Sequence, residues 1–259
     1  MISHIRLVRN SFPLQLLLVL LFVSCMQVNA DGTKIDAQKK DSIVAATADV
    51  KWKSEDEFYT VYYLLDNKIA LADKRPLKAD TTISLCIPAA FTQLDDGSID
   101  GLFIINGKIT DRKKVNHHLG GGLLVVNNEL HIFKTVEGKL LTESWKDSIS
   151  TLQGSFFQQI QMVRDGEALE FHKDQKLFQR RAVVIYRDET IAVVESKSPI
   201  TLQEFADDLV KMKVRDAIYT DMGSYDEGWV RNPKNKTIEV IGHNRMQTKF
   251  QSNWLVFKR

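Results

Sequence analysis

Short apolar runs broken by turn residues dominate the hydropathy pattern of this chain, so strands are expected through most of its length. "FYTVYYLL" (Phe58–Leu65) and "TTISLCI" (Thr81–Ile87) are rich in β-branched and aromatic residues, the composition that fits a pleated, packed surface. "GLFIINGK" closes on Asn106-Gly107, a pair suited to a tight hairpin turn. "GLLVVNNELHIF" bends at Asn127-Asn128, "QMVRDGEALEF" at Asp165-Gly166 and "RAVVIYRDETIAVVES" at Arg187-Asp188. "SFFQQIQMV" (Ser155–Val163) reads as a half-buried strand with one polar face, and "TIEVIG" and "NWLVFK" as closing strands.

Helical spacing is clear once. In "TLQEFADDLVKMK", Thr201 and Glu204 form a capping-box pattern, and Leu202, Phe205, Ala206, Leu209 and Val210 share one face. A weaker segment, "SWKDSISTLQ", predicts a second helix. Together these elements predict a single α+β domain over 51–259: a mostly antiparallel, mixed sheet system with a few packed helices.

The amino terminus follows a different pattern. His4, Arg6 and Arg9 precede an apolar run, Leu14–Val23, and small residues follow, ending at Ala30. Those parts make residues 1–30 a secretory signal peptide. Ten apolar residues fall short of the roughly 20 that a spanning helix needs. Cleavage after Ala30 predicts a soluble exported protein. Lipidation at Cys25, in "FVSC", predicts an envelope-anchored one. Either outcome places the protein outside the bacterial cytoplasm, in the periplasm or envelope. Residues 31–50 read as a flexible, polar leader.

Composition narrows the function classes. At 44% hydrophobic and 26% charged, the chain has ordinary globular proportions. A formal net charge of +2, without a basic stripe interleaved with aromatics, argues against nucleic acid as a partner. Beyond the signal, Cys86 is the sole cysteine, so no intramolecular disulfide forms there. Its apolar context predicts an inert buried thiol. Trp145, Trp229 and Trp254 are expected to pack in the core or at its edge. His131, His172 and His243 lack metal-ligand spacing.

One stretch carries chemistry. In "DAIYTDMGSYDEGWVR" (Asp216–Arg231), a short apolar run ends on Asp221, and Gly223, Ser224, Asp226 and Glu227 follow. A strand fixes such a carboxylate, and a glycine turn beside it lets a ligand approach the backbone. "HHLGGG" (His117–Gly122) suggests a second ligand-facing turn, with His118 as a candidate.

"VRDAIYTDMGSYDEGWVR" resembles the "A-I-N-L-D-G-G-G-S" motif of the phosphodiester glycosidase family, which includes the lysosomal mannose 6-phosphate uncovering enzyme. Its Tyr-Thr-Asp-Met-Gly-Ser form looks like a Bacteroidetes-type branch. The order of "RRAVVIYRDETIAVVES", the capped helix, the Asp-Gly motif and "NWLVF" is similar too. "CIPAAFTQLDDGSIDGLFIINGK" resembles the family's "N-G-G-F-F" segment. The resemblance spans Cys86 to Lys258. It implies a hydrolase that cleaves the glycosidic bond of a sugar 1-phosphodiester, with a sugar-phosphate or glycan as the ligand. On the matched positions it implies Asp221 with Arg180 or Arg181 as catalytic groups, and Gly223, Ser224, Asn106 and Gly107 near the substrate. Asp226, Glu227 and His118 are local substrate-binding candidates. No cofactor is required, and a divalent metal is compatible with the pattern. Met222 replaces the first motif glycine, and Pro88 falls near the motif asparagine. These departures open an alternative, a catalytically inactive glycan-binding module of the cell envelope.

Overall fold

The computed structural model describes residues 52–64, 68–93, 95–111, 113–171, 174–223, 226–242 and 251–259. The signal peptide, the leader, Cys25, Ser224, His172 and His243 lie outside the described residues. All described residues belong to one unit beginning at Ala48.

In chain order the strands are β1 (Lys53–Glu55), β2 (Tyr59–Tyr63), β3 (Lys68–Ala72), β4 (Ile83–Pro88), β5 (Phe103–Ile105) and β6 (Lys108–Ile109). Next come β7 (Gly121–Val126), β8 (Glu129–Lys134), helix α1 (Glu143–Thr151), β9 (Ser155–Gln159), β10 (Gln161–Arg164) and β11 (Glu167–Ala168). The remainder is β12 (Arg181–Tyr186), β13 (Ile191–Ser196), helix α2 (Leu202–Lys211), β14 (Val214–Tyr219), β15 (Gly228–Arg231), β16 (Ile238–Ile241) and β17 (Trp254–Lys258).

These strands build three sheets. The first has seven strands in the order β1-β2-β13-β12-β14-β10-β11. The other two have five each, β16-β15-β4-β17-β3 and β6-β5-β9-β7-β8. Every described strand pairing is antiparallel. The fold is therefore mainly β, which corrects the α+β expectation of a mixed sheet system with packed helices. The two helices among the described residues span only 9 and 10 residues. Each covers the outer face of a sheet and neither builds a layer of its own.

The predicted hairpins occur where the turn residues place them. Asn106 and Gly107 (φ 46 and 77), Asn127 and Asn128 (φ 52 and 66) and Asp165 and Gly166 (φ 53 and 82) supply the left-handed pairs that two-residue turns require. The Arg187-Asp188 turn is longer: Tyr186 N–H bonds the Thr190 carbonyl, and Glu189 takes the left-handed position.

The central core is walled by all three sheets. Tyr62, Val183, Val193 and Ile218 come from the first; Leu85, Ile87, Leu255 and Phe257 from the second; Phe103, Leu123 and Phe157 from the third. On the far side of the first sheet, α2 buries Leu202, Phe205, Ala206 and Leu209 against Ala182, Val184 and Ala217. Its capping box is formed, with Thr201 and Glu204 each satisfying the other's backbone N–H. On the third sheet, Trp145 of α1 packs edge-on against Phe156. Trp229 and Trp254 are fully buried beside Cys86 in a separate cluster, as packing groups. Burial pushes the Cys86 thiol up to about 12, which makes it inert.

"SFFQQIQMV" departs from its expected half-buried form. It is two strands, β9 in one sheet and β10 in another, joined at Ile160. Both of its faces are covered, because the neighbouring sheet closes over the side expected to meet solvent.

Candidate functional site

Strand β14 ends at Tyr219, and Asp221 sits two residues on, 5% exposed. Its backbone N–H donates to the Ala89 carbonyl at 3.0 Å, and its Oδ2 accepts the Thr92 N–H at 3.2 Å. The loop after β4 thus clamps the carboxylate from the opposite sheet. Thr92 is itself held: its hydroxyl donates to Gln251 Oε1 at 2.8 Å and accepts from Asn253 Nδ2 at 3.0 Å. Asn253 Oδ1 in turn accepts the Ala90 N–H at 2.6 Å.

Burial raises the Asp221 carboxyl to about 7. The Thr92 N–H and the Arg181 charge pull it back down, while Asp226 pushes it further up. A carboxyl so placed holds a proton near neutral pH and can deliver it.

The two arginines point to opposite faces of β12, as adjacent strand residues must. Arg181 faces the central core and is fully buried. Its Nε donates to Glu195 Oε2 at 2.7 Å, and both Nη atoms donate to the Asp226 carbonyl at 3.0 Å. Arg180 lies on the other face, 4% exposed, with its guanidinium 5.8 Å from the centre of the Tyr219 ring. Its Nε and Nη2 donate to the carbonyls of Ile200 and Lys176.

The structure therefore gathers Asp221, Arg181 and Asp226 into one electrostatic cluster, with Arg180 close by against Tyr219. Gly223 lies two residues beyond Asp221, and among the described residues other than its chain neighbours the nearest atom to where a Cβ would stand is Asp221 Oδ1, at a contact distance of 4.0 Å. Glu227 turns away to an ion pair with Arg75 and Lys78. Burial resists its ionisation, yet the hydrogen bonds and charges of those two cations outweigh it and hold the carboxyl below its usual range. Asn106 and Gly107 are not brought to Asp221. They form the β5–β6 turn, where Asn106 N–H donates to Ser155 Oγ at the beginning of β9. His118 is exposed, at the entry to β7.

Met222 is buried in the apolar cluster under α2, so its side chain is spent on packing. Pro88 occupies the end of β4 opposite Trp254. Among the described residues, no three His, Cys, Asp or Glu side chains converge as a metal site. No helix there is long and apolar enough to cross a membrane.

Sequence reasoning missed Thr92, Gln251, Asn253 and Glu195. Glu195 carried a usable signal, because Arg181 and Glu195 pair across the β12–β13 hairpin. Asn253 opens the expected closing strand "NWLVFK" with nothing to mark its role, and Thr92 and Gln251 sit in stretches that look like ordinary loop.

No protein-family model matches this sequence, and no curated protein does. Among solved structures, one similar chain is the catalytic domain of zebrafish N-acetylglucosamine-1-phosphodiester alpha-N-acetylglucosaminidase, auto-inhibited by its pro-peptide. It aligns with a TM-score of 0.57 at 12% identity, over 80% of this chain and 81% of that one. A hypothetical protein from Synechocystis aligns with a TM-score of 0.48 at 12% identity, over 78% of this chain and 59% of that one. At such identity the zebrafish likeness is one of fold: this chain has a phosphodiester glycosidase-like architecture.

Proposed function

We propose that this chain is an exported hydrolase that cleaves the glycosidic bond of a sugar 1-phosphodiester, with Asp221 as its proton donor. The observation that carries the reading is a buried carboxyl, raised to about 7, just past a strand end and beside the Arg181 charge and Asp226. The zebrafish neighbour, by its name, acts on a sugar 1-phosphodiester. In the reaction, Asp221 gives its proton to the bridging oxygen as the bond to the anomeric carbon breaks. Water adds to that carbon and returns a proton to the carboxylate, releasing a free sugar and a phosphate monoester. Arg181 positions Asp221 and sets its charge balance. Arg180 supplies positive charge near the phosphate.

A panel of sugar 1-phosphodiesters, offered to the purified wild type and to Asp221→Asn, tests this. Sugar release by the wild type is expected, with kcat/KM falling as pH rises above about 7, where the donor loses its proton. Asp221→Asn is expected to fold and to lose turnover. Full activity in that variant, or a rate that climbs through pH 7, removes Asp221 as the donor.

A second reading is favoured by the two guanidinium groups, which already donate to Glu195 and to the carbonyls of Asp226, Ile200 and Lys176. Cations so occupied suit a glycan-binding module that performs no cleavage. Saturable glycan binding with no product released distinguishes it.

A further inference from the structure

The entry to β17 and the turn after β4 lie side by side, since Trp254 at the start of β17 pairs with Pro88 at the end of β4. Asn253, one residue before β17, is 0% exposed. Its Oδ1 accepts the Ala90 N–H at 2.6 Å, and its Nδ2 donates to Thr92 Oγ1 at 3.0 Å. Its backbone carbonyl accepts from Gln251 Nε2 at 2.8 Å.

The partners fix every proton in this group. Ala90 N–H can only donate, so the oxygen end of the Asn253 amide faces it and the nitrogen end faces Thr92. The Asn253 carbonyl can only accept, so Gln251 turns its nitrogen there and its oxygen to Thr92. The Thr92 hydroxyl has a single hydrogen, which goes to Gln251 Oε1, and it accepts from Asn253 Nδ2. Reversing either amide would set two donors or two acceptors against each other. The network therefore holds residues 89–92 in one geometry.

Both backbone contacts to Asp221 come from those residues. The Ala89 carbonyl accepts the Asp221 N–H, and the Thr92 N–H donates to Asp221 Oδ2. The Asn253 amide bonds at residues 90 and 92, and so braces the turn within the same span that grips the carboxylate. An apolar side chain at 253 would leave the Ala90 N–H without its acceptor and the Thr92 hydroxyl without its donor.

We propose that Asn253 is a positioning residue for Asp221: its amide locks the 89–92 turn so that the Thr92 N–H stays on the carboxylate. The inference deepens the hydrolase reading and rests on it only for what the Asp221 proton does. Among the described residues, the ionisable groups acting on Asp221 are Arg181 of β12, Asp226 before β15 and Tyr219 at the end of β14. Neither 89–92 nor 251–253 contains an ionisable side chain, so Asn253 acts through the Thr92 hydrogen bond and not through charge. That bond favours the ionised carboxylate, and its loss makes Asp221 keep its proton to higher pH.

Carbon-13 labelling of the aspartate side-chain carboxyls in the purified protein reads this titration directly. The Asp221 signal is the one missing from Asp221→Asn. Asn253→Leu is expected to raise the Asp221 midpoint by about one pH unit, the worth of a hydrogen bond to a charged acceptor. Thr92→Val keeps the backbone N–H and the residue's shape but has no hydroxyl; it should move the midpoint the same way, and it serves if Asn253→Leu does not fold. The double variant should shift no further than the larger single variant, because both act through one bond. Additive shifts overturn the proposal. So does a lowered Tm with an unmoved midpoint, which marks the network as a support for the fold alone. Where the wild type releases sugar from a sugar 1-phosphodiester, the falling limb of kcat/KM should move up in pH together with the carboxyl midpoint. Sugar release with an unmoved midpoint sinks the positioning role and spares the hydrolase. A moved midpoint with no sugar released does the reverse.

Discussion

Asp221 is the residue whose chemistry depends most on its surroundings. An aspartate in a Gly-Ser turn is ordinarily ionised at neutral pH. This one is enclosed by the loop after β4, and its single described backbone donor, Thr92, is too little to offset the loss of water. The same shift has a stability consequence. The folded carboxyl titrates near 7 and the unfolded one near 3.8, so between those values the folded state binds more protons. Stability is therefore greatest below about pH 4 with respect to this group, and it falls as pH rises towards 7. Asp221→Asn removes that dependence. Urea unfolding at pH 5 and pH 8 should show the variant gaining on the wild type at the higher pH, by up to roughly 2.7 kcal/mol. An equal difference at both pH values would show that Asp221 is ionised throughout.

Strands β7, β9 and β10 illustrate how element geometry limits sequence. Gly121 pairs with Gln159, and the chain then crosses from one sheet to another at Ile160. A methyl group on residue 121 would meet the Gln161 backbone nitrogen at 2.8 Å, and backbone cannot swing aside as a side-chain end can. Gly121→Ala is expected to destabilise the fold by about 1–3 kcal/mol, measured by denaturant titration. A neutral result would mean that β7 and β10 separate freely. The hairpins, by contrast, were legible in advance, since Asn-Gly, Asn-Asn and Asp-Gly pairs supply the positive φ angles their turns need. The capped helix was legible for the same local reason.

In the molecule as a whole, Arg181 ties the first sheet to the segment entering β15 of the second through the Asp226 carbonyl, and it pairs within the first sheet with Glu195 of β13. It is fully buried, so its removal leaves the Asp226 carbonyl and the largely buried Glu195 carboxylate without its hydrogen bonds. Arg181→Met should cost about 3–5 kcal/mol in urea unfolding, and Arg181→Met with Glu195→Leu should recover part of that loss. Additive losses in the double variant would show that the pair is uncoupled.

Turn chemistry, capping and β-type runs are local, and they specified the hairpins, both helices and the strand that delivers Asp221. They did not reveal that the helices would remain short covers on sheets. That follows from how three sheets share one core. Nor did they reveal Thr92, Gln251 and Asn253 around Asp221, or the unpartnered Gln159 Nε2 and Gln161 amide. Those groups become distinctive only through burial and through partners more than a hundred residues away, or through the lack of any partner. Side-chain alternation along a strand is written in the chain; which face a second sheet will close, and so which polar atoms lose water, depends on packing between distant segments.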